Sequence, residues 1–176
     1  PSERNMAIRN LIRRLIDVCE AIAYAHSRQV LHRDLKPGNI MLGRYGETLV
    51  VDWGLAKALG TEETVGTQPP VIPRSGSTAA PTQDGSTIGT PEYMSPEQAR
   101  GDVDGLDDTT DVYSLGATLF ALLTGRPPLH GSDKAQIRSD VILGRIPTPR
   151  TIDSSIHLQL DAICAKAMQL EKAERY

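Results

Sequence analysis

The chain has 176 residues, the size of one ordinary domain, and 39% of them are hydrophobic, which is enough to build a sizeable core. Its net charge of -3, from 19 Lys+Arg against 22 Asp+Glu with no basic stripe, argues against a nucleic-acid partner. No apolar run approaches the ~20 residues that a membrane-spanning helix needs, so we expect no membrane contact from this segment.

The two cysteines, Cys19 and Cys164, lie far apart in sequence and form no CxxC pair. Both fall among apolar residues in helical patterns, so we expect core thiols and a reducing, cytoplasmic compartment. A longer parent protein could still be anchored to a membrane through a segment outside these residues.

Apolar spacing predicts a mainly helical chain with a few short strands in its first third. Residues 6–26 have apolar side chains at helical spacing, with arginines on the opposite side. Strand-like pieces follow, and further helical patterns occupy the second half of the chain. The predicted strands cover 29–31, 40–42 and 48–51, with a turn at 43–46. The later predicted helices cover about 110–124, 133–144 and 154–170.

Residues 60–87 have a different composition, rich in Ser, Thr, Pro and Gly and poor in large aliphatic side chains. Such a segment buries too little apolar surface to offset its ordering entropy, which predicts a flexible loop. An interdomain linker is the alternative, but the motifs on both sides of the segment favour a single fold.

A first polar constellation lies on a predicted loop, where Asp34 and Asn39 are close enough in sequence to face one cleft. Asp52 follows the third strand and precedes Trp53 and Gly54, where a glycine permits a sharp turn. Mg²⁺ prefers oxygen ligands and often takes only one or two from protein, with the rest from phosphate and water. Asn39 and Asp52 could provide those ligands and leave Asp34 free to accept a hydroxyl proton.

Five motifs in one order resemble protein kinases. They are the His32–Asn39 segment (His-Arg-Asp-Leu-x-x-x-Asn), Asp52-Trp53-Gly54, the Gly89–Glu97 segment (Gly-Thr-Pro-Glu-Tyr-Met-Ser-Pro-Glu), the Asp111–Gly116 segment and the Lys172–Tyr176 segment. Together they cover nearly the whole chain. The His32–Asn39 segment resembles the catalytic loop of that family and is called the catalytic loop below. The resemblance implies a mainly α-helical C-terminal lobe of the α+β protein kinase fold, with short strands around the catalytic loop.

By resemblance, the chain is a protein serine/threonine kinase that uses ATP and Mg²⁺. The catalytic residues would be Asp34 as the base, Lys36 as a cation beside the transferred phosphate, and Thr90, which would help to place Asp34 and the substrate hydroxyl. Lys36 is also the signature of serine/threonine specificity. Lys36, Asn39, Met41 and Asp52 would bind the nucleotide, with Asn39 and Asp52 on the metal and Met41 under the adenine or in the core.

Several residues have structural roles by the same resemblance. His32 would pack beneath the metal-binding Asp52 with Trp53 stacked on it, and Asp111 would hold the catalytic-loop backbone from below. Glu97 and Arg175 would form a buried ion pair. The other three histidines have no motif around them and are interpreted as ordinary side chains: His26, His130 and His157.

Residues 95–101 and 122–128 are most similar to bacterial, eukaryotic-type (Hanks) kinases. The glycine-rich loop and strand lysine that position ATP in this family are not found in the sequence, nor is the lobe's final helix. We therefore expect residues 1–176 to be a partial kinase domain that is inactive alone. Its partners would be ATP, proteins with Ser or Thr, and a partner for autophosphorylation at Thr82, Ser86 or Thr87.

The residues present disfavour two other function classes. A pseudokinase scaffold is disfavoured because Asp34, Asn39 and Asp52 are all present. A small-molecule phosphotransferase of kinase-like fold is disfavoured because the Lys36 signature and the 89–97 substrate platform are both found here.

Overall fold

The computed structural model describes residues 3–58 and 90–176, so the predicted flexible loop at 60–87 lies outside the described residues. Within these two ranges the chain is mainly helical, as the sequence predicts. The helices are α1 (Glu3–Ser27), α2 (Pro96–Arg100), α3 (Asp108–Thr124), α4 (Lys134–Ile142), α5 (Pro149–Ile152) and α6 (Leu158–Ala167). The strands are β1 (Val30–Leu31), β2 (Ile40–Leu42), β3 (Thr48–Val50) and β4 (Lys57–Ala58).

The core lies between α1, α3 and α6, and its side chains are mostly aliphatic. Leu15, Val18 and Ile22 recur at three- and four-residue spacing on α1, so they form one buried stripe. This stripe packs against Phe120 and its neighbours on α3. Helix α3 is therefore buried on most of its surface and forms the centre of the described fold.

The two cysteines differ in their surroundings. Cys164 is fully buried on α6, as predicted for a core thiol. Cys19 is exposed, so its assignment to the core was wrong. The helical stripe explains the error, because Cys19 follows the buried Val18 and so points to the edge of the apolar face.

Residues at both ends of α3 fix its limits. Asp107 is the N-cap and its side chain accepts a hydrogen bond from Thr109 N at 3.0 Å. Gly125 ends the helix with φ of 76°, a left-handed conformation that glycine adopts at low cost. Asp111 lies in the first turn of α3, so the fixed start of the helix also fixes the position of Asp111.

The short strands form two antiparallel pairs. In the first, β2 pairs with β3, with Ile40 opposite Val50 and Met41 opposite Leu49. In the second, β1 pairs with β4. Beyond the β2–β3 ladder, Val51 N donates to Asn39 O at 2.9 Å. This bond places the segment before Asp52 beside the end of the catalytic loop.

Two short helices, α2 and α5, were not predicted, and the predicted helix at 154–170 is shorter in the structure, where α6 covers Leu158–Ala167. The three strands and the turn at 43–46 lie where the sequence predicts them to within a residue. Among the described residues, no helix has both the length and the apolar character needed to cross a bilayer.

Candidate active site

The catalytic loop contains a strained residue that its surroundings hold in place. Arg33 has φ of 68°, a conformation that costs a non-glycine residue about 1–3 kcal/mol. Its N–H donates to Asp111 Oδ1 at 2.9 Å, and its carbonyl accepts from Gln98 Nε2 at 2.7 Å. Helices α3 and α2 thus each fix one of the two peptide groups that flank Arg33, and this directs the next residue, Asp34, into the site.

Asp111 anchors the loop from below, as the sequence predicts. It is fully buried, and its Oδ2 accepts a hydrogen bond from His32 N at 2.9 Å. A buried carboxylate is stable only where charge or hydrogen bonds compensate for its lost hydration. The two backbone N–H groups of His32 and Arg33 provide part of that compensation.

His32 is buried and serves the structure of the site. Its Nδ1 accepts a hydrogen bond from Asp34 N at 3.3 Å, and its Nε2 lies 3.1 Å from Val51 O. This pattern indicates the tautomer with the proton on Nε2, which then donates to the carbonyl. The ring centroids of Trp53 and His32 are 4.6 Å apart, and the angle between the ring planes is 57°. The predicted contact is therefore present, but the rings are tilted and not parallel.

Three predicted catalytic side chains meet in one hydrogen-bonded row. Lys36 Nζ donates to Asp34 Oδ2 and to Thr90 Oγ1, both at 2.7 Å. Lys36 and Asp34 are largely buried, so their attraction is less screened than at an open surface. The structure thus brings together residues that are 54 positions apart in sequence.

Asn39 lies against the same carboxylate. Its Nδ2 donates to Asp34 O at 2.8 Å and to Asp34 Oδ2 at 3.1 Å, and the side chain is buried. Because the amide nitrogen faces Asp34, the amide oxygen is directed away from it. Within the described residues, no hydrogen bond from the protein is made to that oxygen or to Asp34 Oδ1.

Asp52 and Met41 are the two predicted site residues that the structure leaves exposed. Asp52 is exposed and has a left-handed backbone with φ of 63° and ψ of 60°. A Cβ atom at Gly54 would come within 3.3 Å of Asp52 Oδ1, so a glycine there leaves the carboxylate room. Met41 on β2 is 57% exposed, so its side chain does not pack in the core.

The predicted ion pair between Glu97 and Arg175 is present. Arg175 donates to Glu97 through two nitrogens at 2.8 and 2.9 Å, and both side chains are almost fully buried. Burial alone would raise the pKa of Glu97, but hydrogen bonds from Arg175 and from Thr110 hold it below its ordinary value. The pair ties α2 to the end of the described chain.

The sequence interpretation missed the role of His26. Its Nε2 lies 2.8 Å from Asp111 Oδ2, whereas the sequence predicts an ordinary side chain at His26. The available signal was its position at the end of a predicted helix, six residues before His32. That signal is weak, because the contact with α3 spans 85 residues of sequence.

Comparison with known proteins gives one family. The sequence-family model described as the protein kinase domain matches residues 3–175 of this chain. The probable serine/threonine-protein kinase PknB of Bifidobacterium longum is 36% identical over 162 residues, covering 92% of this chain and 21% of that protein. PknD of Protochlamydia amoebophila is 37% identical over 171 residues, covering 94% and 17% respectively.

The serine/threonine-protein kinase PknB of Mycobacterium tuberculosis is 33% identical over 175 residues, covering 99% of this chain and 25% of that protein. The chain thus spans a quarter or less of the length of these three relatives. The match over residues 3–175, together with the cluster around Asp34, shows that this chain belongs to the protein kinase family.

Proposed function

We propose that this chain forms the catalytic face of a protein serine/threonine kinase, which transfers the γ-phosphate of ATP to Ser or Thr hydroxyls of proteins. The observation that carries the proposal is the row Asp34–Lys36–Thr90, in which Lys36 Nζ lies 2.7 Å from each partner. The names of the bacterial relatives, serine/threonine-protein kinases, support the same reaction class.

Asp34 is the proposed base. Lys36 and Asn39 both donate to its Oδ2, and this holds the carboxylate in one orientation. The other oxygen, Oδ1, is then available to accept a hydrogen bond from a substrate hydroxyl and to take its proton. Thr90 would fix that hydroxyl from the opposite side, while Lys36 stabilises negative charge on the transferred phosphate.

The residues present fit a magnesium ion. Asn39 offers an amide oxygen, because its nitrogen already donates to Asp34, and Asp52 offers an exposed carboxylate. Both are oxygen donors of the kind that Mg²⁺ prefers. When bound, the ion would neutralise charge on the phosphates of ATP.

The nucleotide side of the proposal involves Met41. This side chain is exposed on β2, within the β2–β3 hairpin that begins directly after Asn39, and it could cover the adenine. Phosphoryl transfer depends almost wholly on positioning and electrostatics, and the glycine-rich loop and lysine used for this in kinases are not found in the sequence. We therefore expect activity only when the chain is joined to those elements.

Arg33 is a candidate for regulation by autophosphorylation. Its Nε donates to Leu55 O, and within the described residues its terminal guanidinium nitrogens make no hydrogen bond to the protein. They could pair with a phosphate on the 60–87 segment, where Thr82, Ser86 and Thr87 are the proposed sites. Mass spectrometry of active protein checks for phosphate at these residues.

The test is Asp34→Asn in the intact kinase that contains this chain. Because the base acts mainly in the transition state, we expect kcat on a Ser/Thr peptide to fall by about 10²–10⁴-fold. The KM for ATP should change little. Asp104→Asn is the matched control, because Asp104 is exposed and outside the site.

Near-full turnover by the Asp34→Asn variant would contradict the assignment of the base. A wild-type protein that binds ATP and Mg²⁺ but transfers no phosphate would favour the pseudokinase-type scaffold instead. Transfer to small molecules but not to peptides would favour the other phosphotransferase class.

A further inference from the structure

Gln98 on α2 connects the catalytic loop to the segment that contains Thr90. Its Nε2 donates to the carbonyl oxygen of Arg33 at 2.7 Å, a contact across 65 residues of sequence. Its Oε1 accepts a hydrogen bond from Ser95 N at 3.1 Å, and the side chain is 8% exposed. A carbonyl can only accept and a backbone N–H can only donate, so this orientation of the amide satisfies both partners.

The amide of Gln98 does more than a helix cap requires. Gln98 is the third residue of α2 and forms a capping box with Ser95, whose Oγ accepts from Gln98 N at 3.3 Å. A capping box needs only an acceptor on this side chain, so a glutamate would complete it as well as a glutamine. An ionised carboxylate, however, has no hydrogen to donate to Arg33 O. The nitrogen of the amide is therefore explained by the catalytic loop and not by the helix.

The segment 90–98 is attached to the catalytic loop at both of its ends. At its start, Thr90 Oγ1 accepts a hydrogen bond from Lys36 Nζ at 2.7 Å. At its end, Gln98 donates to Arg33 O. The two attachment points on the loop flank the proposed base, so a displacement at either end of the segment acts on the part of the loop that holds the base.

We propose that Gln98 is a positioning residue, which transmits the position of the 90–98 segment to the proposed base, Asp34. The carbonyl that Gln98 holds belongs to the same peptide group as the N–H of Asp34, which donates to His32 Nδ1 at 3.3 Å. Arg33 has φ of 68°, and such a conformation persists only where its surroundings determine it. Without the donor from Gln98 this peptide group is freer to rotate, and the carboxylate of Asp34 moves with it. The inference rests on the proposed function, because it gives Gln98 a part in the same reaction.

The first test is amide hydrogen exchange in the intact kinase that contains this chain, resolved to single residues by fragmentation mass spectrometry. Gln98→Glu keeps an acceptor for Ser95 N and removes the donor to Arg33 O. We expect exchange at Asp34 N to accelerate roughly two- to tenfold, as for the loss of one hydrogen bond, while Ser95 N keeps its protection. Gln98→Met keeps the approximate shape of the side chain but removes both bonds, so exchange should accelerate at both amides.

Gln136→Glu is the matched control, because Gln136 is also the third residue of a helix, α4, and is exposed. Its Nε2 donates to Asp140 Oδ1 at 3.1 Å and not to the catalytic loop. Exchange at Asp34 and Ser95 should match the wild type in this variant. Equal exchange at Asp34 N in Gln98→Glu and Gln136→Glu would overturn the proposal. If Gln98→Glu does not fold because it buries a charge, Gln98→Met decides the question at the Asp34 amide against the same control.

The second test is steady-state kinetics on a Ser/Thr peptide, which separates positioning of the base from a merely structural role. Because a small misplacement of a catalytic group acts on the chemical step, we expect Gln98→Glu to lower kcat by about 10–10²-fold with little change in the KM for ATP. An unchanged kcat with accelerated exchange at Asp34 would contradict the link between Gln98 and the base. Absence of phosphoryl transfer in the wild type would overturn the proposed function, while the exchange comparison would still decide whether Gln98 holds the Asp34 peptide.

Discussion

Glu97 and Arg175 join two segments 78 residues apart through paired hydrogen bonds of 2.8 and 2.9 Å. Each of the two side chains also has a further hydrogen-bond partner. Thr110 Oγ1 donates to Glu97 at 2.9 Å, and Arg175 also donates to the carbonyl of Thr109 at 3.0 Å. The ion pair therefore couples α2, the start of α3 and the 3-10 turn at Lys172–Glu174, which Arg175 follows directly, in one buried network.

Removal of one partner should be costly. Arg175→Met leaves the carboxylate of Glu97 buried without its cation, and we expect a loss of about 3–5 kcal/mol in the free energy of unfolding. Urea denaturation measures this loss. Arg145→Met is the matched control, because the Arg145–Asp140 pair is 3.7 Å apart with Arg145 67% exposed, and it should change stability by less than about 1 kcal/mol. Similar losses in both variants would contradict the role given to the buried network.

The same pair makes stability depend on acid pH. The folded-state pKa of Glu97 lies below its ordinary value of 4.5, so its contribution is present above that value and disappears as pH falls through the folded-state pKa. We expect the stability gap between wild type and Glu97→Gln to be large at pH 7 and to shrink steadily below about pH 4.5. Other acid-sensitive pairs, such as Asp107–Lys172, are common to both proteins and cancel. A gap that is unchanged at pH 3 would refute this assignment.

Much of the site could be predicted because its residues are fixed by local motifs. The Asp34–Asn39 spacing and the strand before Asp52 are features of sequence, and short hairpins are specified by their turn and by neighbouring side chains. The ion pair was predicted by resemblance, since spacing alone gives no contact across 78 residues.

The unpredicted features depend on tertiary packing or on very short elements. His26 has its role only because α3 places Asp111 beside it, which no local pattern encodes. Helix α2 has five residues, too few for apolar periodicity, although Ser95 and Gln98 form a capping box that does signal its start. Cys19 was misplaced because helical spacing defines a face but not its exact edge.

The two cysteines should differ sharply in reactivity. Burial raises the pKa of Cys164 to about 12, and desolvation also raises the pKa of Cys19, which is nevertheless exposed. Since the thiolate is the reactive species, iodoacetamide at pH 8 should alkylate Cys19 slowly and leave Cys164 intact. Mass spectrometry should find one modified site in the native protein and two in urea. The Cys19→Ser variant should show none until it unfolds, and native alkylation at Cys164 would contradict its burial.

The contact between α3 and α6 depends on a glycine. A Cβ atom at Gly116 would lie 2.8 Å from both Ala167 Cβ and Met168 Cγ, and the Met168 side chain can move whereas Ala167 Cβ is fixed to the backbone of α6. Overpacking of this kind costs about 1–3 kcal/mol, and only ~0.5–1 kcal/mol is regained from the better helix propensity of alanine. We therefore expect Gly116→Ala to lower the free energy of unfolding by about 1–2 kcal/mol.

Two comparisons separate this clash from a general effect of added side chains. Gly38→Ala is the matched control, because no atom lies within 4 Å of its added Cβ, and it should leave stability within about 0.5 kcal/mol of wild type. Adding Ala167→Gly to Gly116→Ala removes the fixed half of the clash. In urea denaturation the double variant should then be more stable than the sum of the two single changes, by about 0.5–3 kcal/mol. Strict additivity would show that α3 and α6 do not meet at this glycine as the structure places them.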